Sequence, residues 1–229
     1  MADAYTRVMN VLIFGASGMV GQGVVRECLA DPRVTSVHAV VRSPTGIAHP
    51  KWHEAQLADC TALGGLLPTL AHLDACFFCL GVSSFRMSEA DYTRVTYDLT
   101  LAVATQLVQA QPDLTFVYVS GVGTDSTEQG RSMWARVKGR TENALLRLPF
   151  RRVALFRPGA IQPLGGIRSK TAVYHAIYVA TGWLLTLLRR LFPDTIVTTR
   201  QVGRAMIAAA ERGVERPIVT PADIRRLSA

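Results

Sequence analysis

The run Val8-Met9-Asn10-Val11-Leu12-Ile13-Phe14, broken off by Gly15-Ala16-Ser17-Gly18-Met19-Val20-Gly21, restricts the possible folds more than any other stretch of this chain. A strand this apolar suits burial on both faces, the situation at the centre of a parallel sheet. Gly15 permits a tight turn out of the strand, Gly18 lets backbone approach a pyrophosphate, and Gly21 lets the following helix pack closely. That helix offers unpaired N–H groups and partial positive charge to phosphates. A glycine triplet alone is a weak signal; set between a buried strand and a helix it is a strong one.

The rest of the chain alternates in the same way. Strands are expected at Val34 to Val41, near His53–Leu57, at Asp74 to Leu80, Leu114 to Ser120 and Arg152 to Phe156. Helices are expected at 19–30, near 60–71, at 88–110 and at 132–147. Right-handed crossovers then give an α/β doubly wound parallel sheet, the Rossmann arrangement, with a small C-terminal helical elaboration. The 229 residues, 49% hydrophobic and 18% charged, fit one such domain, with residues from about 160 to 229 on the substrate side.

The second strand bears on the cofactor. An NAD-preferring site usually places Asp or Glu at its end to bind the ribose hydroxyls. Here it ends in Val40-Val41-Arg42-Ser43, so Arg42 and Ser43 are candidates for a 2′-phosphate, and NADP(H) is the expected dinucleotide.

These residues resemble the short-chain dehydrogenase/reductase superfamily in its atypical or extended branch. The likeness is to the Tat-interacting-protein-like and NmrA-like oxidoreductases, often labelled nucleoside-diphosphate-sugar epimerases. The resemblance spans about residues 8–165 and implies roles by position. Gly15, Ser17, Gly18, Met19 and Val20 would hold the pyrophosphate, and Asp59 would cap the adenine. Gly81 and Val82, in Cys79-Leu80-Gly81-Val82-Ser83, would run beside the cofactor. Ser120 stands where the family has a catalytic serine, Lys138 where it has the lysine of the nicotinamide ribose, and Pro158 lies on the nicotinamide side.

The family's acid, a tyrosine four residues before the lysine, is here Trp134. An indole N–H donates a hydrogen bond but is no general acid near neutral pH. Three readings follow. The substrate needs only hydride, as an apolar quinone or flavin does, with water supplying the proton. Another phenol substitutes, with Tyr118, Tyr174 and Tyr178 as candidates. Or the chain binds NADP(H) as a sensor or interaction protein without turnover.

Charge is unevenly spread within the net +8. Residues 1–146 carry 11 Lys/Arg against 13 Asp/Glu, and residues 147–229 carry 14 against 4. An apolar or anionic small-molecule substrate fits this balance. No basic stretch is interleaved with stacking aromatics, so nucleic acid is not an expected partner. Residues 171–188, a long uncharged stretch followed by Arg189-Arg190-Leu191-Phe192, are expected to cover the cleft or form a homodimer contact, with peripheral membrane contact through 171–192 and a true membrane span as further readings. Cys76 and Cys79 have a redox spacing, but three apart in a strand they face opposite ways. The five histidines lack metal-ligand spacing, so no metal is expected. With few cysteines and no signal-peptide pattern, the chain reads as cytoplasmic.

Overall fold

In the computed structural model, which describes residues 8–70, 72–167 and 195–229, seven parallel strands form one sheet. They are β1 (Met9–Phe14), β2 (Val34–Val41), β3 (Trp52–Gln56), β4 (Ala75–Phe78), β5 (Thr115–Val119), β6 (Arg152–Phe156) and β9 (Ile218–Val219), in the order β3-β2-β1-β4-β5-β6-β9. Two shorter strands, β7 (Ala160–Gln162) and β8 (Ile196–Thr198), pair with each other in parallel.

Period-two alternation sends each strand's side chains into two cores. Val11, Ile13, Phe77, Val117 and Phe156 meet α1 (Met19–Ala30) and α5 (Thr199–Arg212) on one face. Leu12, Phe14, Phe78, Phe116 and Tyr118 meet α3 (Leu99–Ala110) and the end of α4 (Met133–Leu146) on the other. The second core carries an aromatic ladder, Phe14–Phe78 at 5.4 Å and Phe78–Phe116 at 5.9 Å between centroids. Cys76 belongs to that core, whereas Cys79 packs against the first, so their thiols are on opposite faces of the sheet.

The helix expected over 60–71 is reduced to one tight turn at Leu67–Thr69. Gly64-Gly65 and Pro68 oppose a longer helix, although Leu63 and Leu67 are still buried. The run expected over 88–110 is α2 (Glu89–Thr93), a π-wound turn (Arg94–Asp98) and α3. Ser88 caps it, accepting from the Asp91 N–H at 3.1 Å.

Residues 199–227, read in the sequence with the substrate-side elaboration, contribute β9 to the main sheet and add the helices α5 and α6 (Pro221–Leu227), α5 packing in the first core. Helices α5 and α6 both start with capping boxes, Thr198 with Gln201 and Thr220 with Asp223. Helix α5 crosses α1 at close range: a Cβ on Gly23 would lie 2.6 Å from Thr199 Cβ, and one on Gly203 would lie 3.1 Å from the Gly23 carbonyl oxygen. Gly23→Ala is therefore expected to push the two helices apart and lower stability by about 1–3 kcal/mol. Urea denaturation checks this, and an unchanged midpoint would show that the crossing yields without cost.

Candidate active site

Every strand of the main sheet runs the same way, so the loops after β1, β2, β4, β5 and β6 gather at one edge. In open α/β sheets ligands bind there. The sharpest feature of that edge is the turn after β1. Gly15 has φ +80°, and a Cβ on it would stand 2.8 Å from the Cys79 carbonyl and the Leu80 nitrogen. The Gly18 N–H donates to the Gly15 carbonyl at 2.9 Å, closing the turn. A Cβ on Gly21 would fall 2.0 Å from that carbonyl oxygen. Gly21 thus lets α1 sit on the turn itself, a tighter contact than helix against sheet. Met19 and Val20 follow in the first turn, whose N–H groups lack intrahelical acceptors. Lined by backbone, free of acids and facing a helix start, this cradle fits a pyrophosphate.

Ser17 borders a cleft of about 430 Å3 that continues between α1 and the loop after β2, past Gln22, Arg26, Pro44 and Ile47. Arg42 and Ser43 are exposed where β2 ends, and the Arg42 guanidinium has no hydrogen bond or ion pair among the described residues. The nearest acid on the neighbouring strand, Glu54, accepts from the Thr45 N–H at 3.0 Å and Trp52 Nε1 at 2.9 Å, and also from the Thr45 hydroxyl. Its carboxylate is committed to holding the loop. Asp59 is exposed, and its Oδ1 accepts from Thr61 N and Oγ1 at 2.9 and 2.7 Å, which lowers its pKa.

The loops after β4 and β5 present apolar side chains to solvent. Val82 is 51% exposed, Phe85 74% and Val122 55%, large values for hydrophobic residues at the mouth of a crevice. Gly81, beside Val82, would have nothing within 4 Å of an added Cβ. Ser120 directly follows β5, and its Oγ shares a 2.7 Å hydrogen bond with the Thr124 hydroxyl. Pro158 is buried, and its carbonyl accepts from the Val122 N–H at 3.0 Å, tying the loop after β6 to the loop after β5.

Trp134, in the first turn of α4, packs its six-membered ring on Gly123, where a Cβ would lie 3.2 Å from Cη2. With φ at +89°, Gly123 suits this position for its backbone as well as for its lack of a side chain. One helical turn on, Lys138 places Nζ 5.5 Å from the centroid of the Tyr118 ring. Loss of hydration lowers the Lys138 pKa to about 8, against the opposing pull of Glu142. Glu142 itself is buried and is bridged by Arg157, whose Nε donates at 3.0 and 3.2 Å and whose Nη2 reaches both Glu142 and the Ser126 hydroxyl. Arg157 takes the carboxylate, and Lys138 has no hydrogen bond or ion pair among the described residues.

Tyr118 does not serve as the substitute phenol considered above. It is 1% exposed, its ring lies in the second core, and burial pushes its pKa up. Tyr174, Tyr178 and the stretch 171–192 lie outside the described residues. The Glu142–Arg157 pair and the Trp134–Gly123 contact were not visible in the sequence, since each depends on two segments meeting in space.

A parallel Rossmann sheet with a glycine cradle, and a serine and a lysine on the loop and helix after β5, define an NAD(P)-binding protein of the short-chain dehydrogenase type. The chain belongs to the NAD dependent epimerase/dehydratase family, whose model matches residues 11–156. It is 28% identical over 225 residues to the mitochondrial protein fmp52-2 of Aspergillus oryzae, covering 94% of this chain and 95% of that one. It is 27% identical over 154 residues to HTATIP2 of Rattus norvegicus, covering 66% of this chain and 62% of that one. Among solved structures, the Bordetella bronchiseptica enzyme WbmF in complex with NAD+ superposes with a TM-score of 0.68 at 15% identity, over 98% of this chain and 78% of that one. The UDP-glucose 4-epimerase of Thermotoga maritima gives 0.67 at 14% identity, over 95% and 81%.

These relatives correct the cytoplasmic expectation: the fungal proteins similar to this chain are named mitochondrial. A low cysteine content does not separate one reducing compartment from another.

Glu142→Gln is expected to leave Arg157 without its ionic partner, at a cost of about 3 kcal/mol by chemical denaturation. It would also lower the Lys138 pKa further, because Glu142 is the group that raises it. A variant as stable as the parent would mean that Arg157 finds solvent instead.

Proposed function

We propose that this protein is an NADPH-dependent oxidoreductase that reduces a small apolar acceptor, quinone- or flavin-like in its chemistry, without the tyrosine of its relatives. The observation that carries this reading is the pair Trp134 and Lys138: the first removes the phenol, while the second keeps an enclosed, titratable ammonium one turn away. NADPH, when bound, supplies the hydride. Gly15, Ser17, Gly18, Met19 and Val20 hold its pyrophosphate, Arg42 and Ser43 its 2′-phosphate, and Asp59 its adenine. Gly81, Val82 and Pro158 line its path, and Lys138 holds the nicotinamide ribose.

Val82, Phe85 and Val122 give the acceptor an apolar rim, and Ser120 faces it. An acceptor of this kind needs one hydride and one proton. Lys138, with a pKa of about 8, carries a transferable proton near neutrality and regains it from water. A non-catalytic NADP(H) sensor is the second reading, and one observation favours it: the Ser120 hydroxyl is already paired with Thr124.

The deciding experiment titrates the protein with NADPH and NADH, then follows NADPH oxidation against quinones, flavins and aldehydes. Binding with turnover of the first two supports the oxidoreductase, binding without turnover supports the sensor, and no binding refutes both. Arg42→Ala is expected to weaken NADPH about tenfold or more while leaving NADH nearly unchanged. Equal effects on both dinucleotides would remove the 2′-phosphate from the reading. The active form carries protonated Lys138, so turnover is expected to fall as pH rises through about 8. In Lys138→Arg turnover is expected to fall at every pH, because a guanidinium holds its charge but does not give up its proton.

A further inference from the structure

The opposite edge of the sheet, where β5, β6 and β9 begin, gathers arginines from segments far apart in sequence. Arg147 follows α4, Arg151 and Arg152 lead into β6, Arg212 and Arg216 bracket the turn before β9, and Arg225 and Arg226 lie in the last turn of α6. Strand pairing brings them together: β6 and β9 are in register at Leu155↔Ile218, and a Cβ on Gly213 would lie 3.1 Å from the Arg152 guanidinium carbon. The Arg151 N–H donates to the Pro112 carbonyl at 2.8 Å, joining the start of β5 to the same edge.

The acids at this end are Asp31, Asp74, Asp113, Glu211, Glu215 and Asp223, with Asp31 taken by Arg33. Arg226 is bound to Asp223 at 3.0 Å and Glu215 at 3.4 Å, while Glu211 takes Arg33 and Arg212. Arg147, Arg151, Arg152 and Arg216 have no side-chain hydrogen bond or ion pair among the described residues, and all but Arg152 are exposed. Leu146, beside Arg147, is 44% exposed, with Leu148 partly exposed and Pro149 exposed next to it. A cleft of about 510 Å3 opens beside these groups, lined by Arg212, Arg216 and Arg226 together with the carboxylates of Glu215 and Asp223.

Fixed positive charge beside exposed aliphatic side chains is the chemistry of an anionic bilayer surface, where guanidinium meets lipid phosphate and apolar groups enter the headgroup layer. Nucleic acid fits less well, because no exposed aromatic side chain stands among these arginines to stack on a base. We propose that this edge docks the protein on an anionic phospholipid surface, with the exposed Arg147, Arg151 and Arg216 meeting lipid headgroup phosphates. The dinucleotide cradle lies at the other edge of the same sheet, so docking leaves it turned toward water.

The test is co-sedimentation of the full chain with vesicles of phosphatidylcholine alone and of phosphatidylcholine with about one third phosphatidylserine. Binding is expected only to the second, and to weaken as salt is raised. Arg147→Gln, Arg151→Gln and Arg216→Gln together are expected to reduce vesicle affinity about a hundredfold. These side chains are exposed and make no side-chain hydrogen bond or salt bridge among the described residues, so the thermal midpoint is expected to change little. Loss of equal charge at Arg86, Arg94 and Arg131, in loops and helix at the cradle edge, is expected to leave vesicle binding near the parent value. The proposal is overturned if the parent chain ignores anionic vesicles, if the first triple variant binds them as the parent does, or if the second triple variant loses as much.

Discussion

Gly21 has no room for a side chain, and the placement of the first helix depends on that fact. The Gly15 carbonyl occupies the space a Cβ would take, so α1 starts directly on the turn that leaves β1. The same turn presses against the backbone after β4, at Cys79 and Leu80, which fixes the two central strands relative to the helix. Helix α1 then offers Gly23 to α5, and α5 leads the chain on toward the last strand of the sheet. One backbone-on-backbone contact thus sets both the phosphate cradle and the helix layer above the first core. Stability and binding share a single steric constraint at this point.

Much of this was legible in the sequence, for reasons that differ by element. Strands β2 and β6 are rich in β-branched and aliphatic residues, and their expected limits coincide with the observed ones. The glycine turn was legible because its residues are adjacent in the chain and have few other uses. Residues 60–71 misled because Leu63 and Leu67 are core residues at helical spacing, and burial does not require a helix. Strand β9 is two residues long, too short for any periodicity, and it exists only because β6 offers it an edge. Helix α5 could have been found from Thr198 and Gln201 at the spacing of a capping box. Around Lys138 the limit is different in kind. Glu142 and Arg157 are 15 residues apart on a helix and a loop, and only the fold reveals that the arginine takes the carboxylate the lysine would otherwise use.

That competition shapes the chemistry of the site. A carboxylate shared with Lys138 alone would hold its ammonium at a high pKa. Bridged by Arg157 instead, Glu142 exerts only part of its pull, and desolvation dominates. Trp134, in the first turn of α4, sets its ring in the space left by Gly123.

The chain has 25 basic residues, yet only Lys51, Lys138 and Lys170 are lysines. Guanidinium groups hold their charge across the whole biological pH range, whereas an amine near 8 does not. In the language of ion exchange, the arginine edge is a strong exchanger and Lys138 a weak one. A rise of one pH unit around neutrality would leave the attraction of the arginine edge for anions untouched while removing protons from the crevice at the far edge. The two edges of one sheet thus answer to different variables, ionic strength at one and acidity at the other.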